Sequence, residues 1–239
     1  MADLFGINDL TPMDLFCGDE PIKIDIVYAD AKHPENIFGT AVYEQHARMI
    51  LHQDMARVVL SAARTLNKNH GWILVLKDGL RPVEAQAALM ETPIVKAHPH
   101  WLQEPRLLSG PGQGAHPRGM AIDVSLIDCN GWTVDMGTVF DEMSDYSART
   151  YKHFPNAILQ NRESLEEAFV QAGRKHRLPV LPLPSEWWDF RFMPAHYRAR
   201  PPIHDKNLPG PLRMREPTTP DPQWEASTQH LAKAILKSL

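Results

Sequence analysis

Cysteine is almost absent from this 239-residue chain: Cys17 and Cys129 are the only two. They form no Cys-x-x-Cys pair, which argues against a structural zinc knuckle and against a disulfide framework. No apolar run approaches the roughly 20 residues of a membrane span. Basic charge is not in excess either. The formal net charge is -4, so no positive field invites nucleic acid or anionic lipid. The opening Met1-Ala2-Asp3-Leu4-Phe5 has neither a basic start nor a long apolar stretch, so no secretory signal is expected and the cytoplasm is the expected location. Internal repeats and low-complexity tracts are missing too. What remains is a globular composition, 43% hydrophobic and 23% charged, long enough for one substantial core or two small ones. Proline is plentiful by contrast. The 21 prolines cluster late, between Leu178 and Pro222, and predict extended, irregular chain there.

Periodicity places the main elements. Residues 1–20 read as a loose arm. Pro21 to Tyr28 alternates as a strand, and Ala29 to Thr40 is a loop. Ala47, Leu51, Met55, Val58, Ala62 and Leu66 form one stripe, predicting a helix from Glu44 to Lys68 on which His46 and His52 are solvated. Trp72 to Leu76 is a continuous apolar run, suited to a strand buried on both faces. A helix follows over Val83 to Glu91. Residues 92–113 form an irregular connection in which His98 and His100 are surface residues. Asp128-Cys129-Asn130-Gly131 predicts a hairpin turn, with Trp132 to Met136 returning antiparallel. A second helix spans Arg162 to Gly173, with glycine as its stop. Residues 199–222 wrap the surface, and Gln223 to Leu239 forms a C-terminal helix.

Two stretches carry chemistry. Met120, Ile122, Val124 and Leu126 alternate with Ala121, Asp123 and Ser125, so a half-buried strand turns Asp123 away from the core. His116 precedes it, and the Pro117-Arg118-Gly119 turn can fold it back over Asp123. An imidazole beside a carboxylate offers two ligands for a zinc-like metal, though a surface turn and a local cap explain the same residues. Pro82 holds Arg81 in extended conformation at the end of the Trp72–Leu76 strand, where it is either a catalytic cation or a surface arginine.

His116-x-x-Gly119-x-Ala121-x-Asp123 resembles the metal-binding signature of the D-alanyl-D-alanine metallopeptidases, most closely the VanX-type D-alanyl-D-alanine dipeptidases. Three further segments are similar to that family, in its order. Asp78-Gly79-Leu80-Arg81-Pro82 resembles Asp-Gly-Tyr-Arg-Pro, with Leu80 for tyrosine. Phe140-Asp141-Glu142-Met143 resembles Phe-Asp-x-Met, and Glu186-Trp187-Trp188-Asp189-Phe190 resembles Glu-Trp-Trp-His-Phe. Tyr28-Ala29 and Asn36-Ile37-Phe38-Gly39 resemble segments that border the substrate site.

The resemblance implies an α+β fold, with helices packed around a central antiparallel sheet and the site in a cleft over it. One catalytic domain would span residues 21–198, with 199–239 part of it. It implies hydrolysis of D-alanyl-D-alanine with one zinc ion per chain on His116, Asp123 and Asp189. Glu186 would be the general base and Arg81 the oxyanion donor. Asp141 would receive the substrate's amino group, with Tyr28 beside it. A dipeptide is the expected partner, not nucleic acid or membrane.

Two departures qualify this. Asp189 stands where the family has histidine. Two carboxylates formally cancel a dication's charge, which implies a less acidic bound water and weaker discrimination against manganese or other divalents. On this basis Asp189→His preserves or raises zinc affinity. Gly114 stands where the family has a serine that contacts substrate. The alternatives are an impaired homologue that binds D-amino-acid peptides or a protein partner, and a D,D-carboxypeptidase acting on longer wall peptides.

Overall fold

The apolar run Ile73 to Leu76 and the alternating run Ala121 to Ile127 lie side by side as antiparallel strands at the centre of the molecule. The computed structural model describes residues 6–103, 107–216 and 218–239. Along the chain its elements are β1 (Leu10–Pro12), β2 (Ile22–Ile24), β3 (Ile50–His52), α1 (Gln53–His70), β4 (Ile73–Asp78), α2 (Val83–Met90) and α3 (Pro93–Ala97). There follow β5 (Ala121–Ile127), α4 (Asn156–His176), β6 (Val180–Pro182), β7 (Asp189–Phe192), α5 (Pro194–Tyr197) and α6 (Pro222–Ser238).

The main sheet has the order β2-β4-β5-β7-β6. Its pairs are antiparallel except β2 with β4, which run parallel, so the sheet is mixed rather than wholly antiparallel. Helix α1 packs against α4 and against β4. Leu74, Leu76, Ile122, Val124, Leu126, Phe190 and Phe192 lose all contact with solvent. None of the helices among the described residues is long and apolar enough to cross a membrane.

Residues 6–20 are not a loose arm. β1 pairs with β3, and Leu10, Met13 and Phe16 are buried in the core. Burying these three large side chains contributes about 1.5–3 kcal/mol each, which together with the β1–β3 ladder offsets the entropy of ordering the segment. Residues 1–5 lie outside the described part.

The first helix starts later than its apolar stripe predicts. Ile50–His52 is taken by the ladder to β1, so the helix begins at Gln53. His52 is its cap: its ring Nδ1 accepts the Asp54 N–H at 3.2 Å. The residue is 2% exposed rather than solvated, whereas His46 is exposed. The helix closes at Gly71, in left-handed conformation. Helix α4 is longer than the pattern predicts. It runs through Gly173 to His176 and closes on Arg177 at φ 57°. Gly173 is there for close packing, since a Cβ would lie 2.7 Å from the Leu178 carbonyl oxygen.

The predicted hairpin keeps its turn and loses its second strand. Asp128 Oδ1 accepts the backbone N–H groups of Asn130 and Trp132, both at 2.9 Å. Pairing beyond it is reduced to one bridge, Ile127 to Thr133. The side chain offers that backbone a local alternative to a ladder.

Candidate functional site

Register across the sheet puts three aspartates in a row: Asp78 of β4 opposite Asp123 of β5, and Asp123 opposite Asp189 of β7. All three are buried, at 1%, 3% and 1% exposure. Like charges on facing rungs repel, and more so out of water. Such a row persists only where cations neutralise it.

Two of the three have their cation. Asp78 Oδ1 accepts the Tyr43 hydroxyl at 2.7 Å, and Oδ2 accepts Arg81 Nε at 2.8 Å. Asp189 Oδ1 accepts Arg191 Nε at 2.8 Å, and Oδ2 accepts Arg191 Nη2. The middle residue is less well served. Arg81 Nη2 is 3.6 Å from Asp123 Oδ2, and Asp123 Oδ1 has no hydrogen-bond partner among the described residues.

His116 faces that vacant oxygen. It sits in a single 3-10 turn, His116–Arg118, closed by Gly119 at φ 64°. A Cβ on Gly119 would lie 2.9 Å from the His52 nitrogen. Arg118 braces the turn by donating to the carbonyls of Gly112, Gly114 and Arg200. The ring Nδ1–H donates to the Gly79 carbonyl at 2.8 Å. This fixes the ring orientation and leaves Nε2 facing Asp123 Oδ1, 3.6 Å away, and Asp189 Oδ2, 3.3 Å away. Gly79 in turn packs closely on β3, since a Cβ there would lie 2.7 Å from the Ile50 carbonyl oxygen.

Asp78, His116 and Asp123 bring ligand atoms within 4.8 Å of one another. Both Asp78 oxygens are already engaged, however. Both Asp189 oxygens are engaged too, by Arg191, so Asp123 Oδ1 is the one buried carboxylate oxygen of the row without a hydrogen-bond partner among the described residues; His116 Nε2 lies 3.6 Å from it and 3.3 Å from Asp189 Oδ2. One imidazole and two carboxylates suit a divalent metal of the zinc or manganese kind. The orphaned Asp123 oxygen is the specific sign of fit. So is the proton demand at His116: burial disfavours the imidazolium, yet Asp123 and Asp189 outweigh burial and raise its pKa to about 10.

Glu186 and Asp141 complete the acidic side. Glu186 is 8% exposed, in the loop before β7. Burial, then Asp189 and Asp123, hold its pKa well above the usual carboxylate range, against Arg191. Arg149 holds this loop in place by donating to the carbonyls of Leu183, Trp187 and Asp189 at 2.9, 2.9 and 3.0 Å. Asp141 has φ 63°, unusual for a non-glycine residue. Its Oδ2 accepts the Tyr28 hydroxyl at 2.5 Å, and burial raises its pKa to about 7. The Arg81 guanidinium lies 5.5 Å from the Tyr28 ring centre. One cavity is lined by all seven residues singled out from the sequence: Tyr28, Arg81, His116, Asp123, Asp141, Glu186 and Asp189. Cavities of this kind, polar and flanked by groups with shifted pKa values, are where chemistry concentrates.

A family model for D-Ala-D-Ala dipeptidases, within the peptidase family M15, matches residues 10–207. The chain belongs to the D-Ala-D-Ala dipeptidase family. It is 33% identical over 175 residues to a D-alanyl-D-alanine dipeptidase of Escherichia coli, covering 73% of this chain and 80% of that one. The D-alanyl-D-alanine dipeptidase of Enterococcus faecalis is 29% identical over 182 residues, covering 70% of this chain and 87% of its own. That of Synechocystis is 25% identical over 227 residues, 80% and 90% of the two chains. This family makes the chain a peptidase, a hydrolase of the dipeptidase class.

Three residues of this dipeptidase-family chain escape a reading of its sequence. Asp78, itself bonded by Tyr43, holds Arg81, and Arg191 holds Asp189. Arg191 had a signal: it lies two residues after Asp189 on a strand, hence on the same face. Tyr43 had none. Trp187 and Trp188 are 2% and 1% exposed and pack as core. The Trp187 indole N–H donates to Thr138 Oγ1 at 2.8 Å, and Trp188 meets the Phe140 ring at 5.6 Å. His98 stacks on Trp101, and His196 faces Asp54; neither lines the cavity. A second cluster of Asp25, His33 and Glu35 closes on the Lys77 ammonium, which bonds to both acids.

Proposed function

We propose that this chain is a metal-dependent dipeptidase that hydrolyses D-alanyl-D-alanine to D-alanine in the cytoplasm. The observation that carries the reading is the unpartnered Asp123 oxygen facing His116 Nε2, inside a cavity that also holds Glu186, Arg81 and Asp141. His116, Asp123 and Asp189 would hold the metal. Zinc, or another divalent ion, supplies Lewis acidity and brings the pKa of water to about 7.

The chain's own residues supply the remaining steps. Glu186, with its raised proton affinity, takes the proton from the attacking water as the new C–O bond forms. It then delivers that proton to the departing amine nitrogen as the C–N bond breaks. Arg81 donates to the carbonyl oxygen as negative charge develops there. Asp141, with Tyr28 on its other face, receives the free ammonium group, which selects a substrate with an unblocked N-terminus.

The deciding experiment is metal content of the purified protein, with D-Ala-D-Ala hydrolysis on the same sample before and after zinc. One metal per chain with zinc-dependent release of D-alanine supports the reading. No hydrolysis at saturating zinc overturns it and favours a binding protein. Release of D-alanine only from longer peptides makes the chain a carboxypeptidase instead. His116→Ala is expected to lose the metal and the activity together, measured as metal per chain and as rate. Retained metal in that variant would count against His116 as a ligand.

Asp141 gives a pH prediction. Its folded pKa is about 7, against the ordinary aspartate value of 3.8. Between those values the folded chain keeps a proton that the unfolded chain has lost, so its contribution to stability falls as pH rises through the window. Asp141→Asn removes that cost. The variant's gain in Tm, in metal-stripped protein, is expected to be near zero at pH 4, to grow up to pH 7, and then to level off. Its KM for D-Ala-D-Ala is expected to rise, since the ammonium loses its carboxylate. A gain in Tm of equal size at pH 4 and pH 8 would refute the assignment.

A further inference from the structure

Asp189 never appears alone in this site. Arg191 lies two residues further along β7, on the same face, and grips both carboxylate oxygens. Asp189 is 1% exposed, and the Arg191 side chain 16%. Solvent and salt therefore screen this pair little. A carboxylate has about four lone-pair sites, so the grip still leaves Asp189 Oδ2 able to bind a second partner. That oxygen is 3.3 Å from His116 Nε2.

The pairing changes the charge count at the metal position. With a metal in place of a proton on Nε2, His116 is neutral; Asp123 carries one negative charge, and Asp189 with Arg191 carries none. The set totals -1, not the -2 of its bare residues, so a dication there stays net positive. Arg191 also fixes the plane of the Asp189 carboxylate and presents one oxygen toward His116. We propose that Arg191 is a positioning residue that makes Asp189 a charge-neutral, single-oxygen metal ligand, so that the two act as one unit. This rests on the metal-dependent reading above.

The consequence is a reversal of sign. With residue 189 considered alone, an imidazole there preserves or raises zinc affinity. With Arg191 in place, Asp189→His strips a buried guanidinium of its carboxylate and leaves it beside a dication. Zinc affinity is then expected to fall, by about tenfold or more, in the range of losses for residues that support metal ligands.

The test is a double-mutant cycle on metal-stripped protein: wild type, Asp189→His, Arg191→Gln and the double variant. Zinc affinity is read by competition with a chromophoric chelator, and cobalt absorption reports the coordination. The expected result is that Asp189→His weakens zinc binding and that adding Arg191→Gln restores it. In the wild-type background, Arg191→Gln has no such restoring effect, and its cobalt spectrum changes. Recovery in the double variant also shows that the single variant failed through charge rather than misfolding. Equal effects of Arg191→Gln in both backgrounds overturn the proposal, as does undiminished binding by Asp189→His. If Arg191→Gln takes up zinc and wild type does not, Arg191 blocks the site: the proposal is then wrong while the ligand assignment stands. Failure of all four proteins to bind zinc or cobalt overturns the metal reading itself.

Discussion

Glu186→Gln is expected to lower kcat for D-Ala-D-Ala by about a thousandfold while leaving metal content unchanged. Positioned acid–base groups contribute about 10²- to 10⁴-fold, and Glu186 serves in both directions, taking the proton from water and giving it to the amine. Glutamine keeps the shape and removes that capacity. The fold should tolerate the change well. Burial and the Asp189 and Asp123 carboxylates already disfavour the ionised form of Glu186. Replacing an acid whose pKa is raised on folding removes a cost that grows with pH above the ordinary carboxylate value. The variant should therefore be at least as stable as wild type at pH 7, measured by thermal unfolding. Loss of the metal in Glu186→Gln would make Glu186 a ligand and overturn its role as base.

Arg81→Lys is expected to cost about 10²- to 10³-fold in kcat, with KM changed far less, as for loss of one oxyanion donor. The arginine is doubly held. Its Nε and Nη2 lie 2.8 and 2.6 Å from Asp78 Oδ2, and Tyr43 holds the other Asp78 oxygen. Nη2 also lies 3.6 Å from Asp123. A lysine ammonium is a single point of charge and cannot both satisfy Asp78 and reach the substrate. Steady-state kinetics decide this. A variant with normal kcat and raised KM would make Arg81 a ground-state binding residue, not a donor to the oxyanion.

Much of the site was legible before any fold was known, because its residues come in short runs with set spacing. His116 to Asp123 and Glu186 to Asp189 each keep two functional groups within eight residues of chain, and their resemblance to the dipeptidases rested on those runs. The elements that went astray were those whose local pattern lost to a distant partner. The stripe from Ala47 to Leu66 reads as continuous helix, but residues 50–52 pair with a strand from the N-terminal segment. Residues 6–20 carry apolar groups with no sustained helix or strand period to announce a core element, yet Leu10, Met13 and Phe16 fill one.

The sequence by itself determined the strand and helix periodicity, the acids and the imidazole with their local turns, and through these the family. Only the tertiary structure decided how the charges balance. The row of Asp78, Asp123 and Asp189 is a matter of register between three strands far apart in the chain. No local preference encodes register, because it is set by which apolar faces meet. The same holds for the partners of that row: Tyr43 and Arg81 on Asp78, Arg191 on Asp189, and an oxygen of Asp123 left open. Electrostatic energy depends on separation and burial, and the chain acquires both only when the sheet closes.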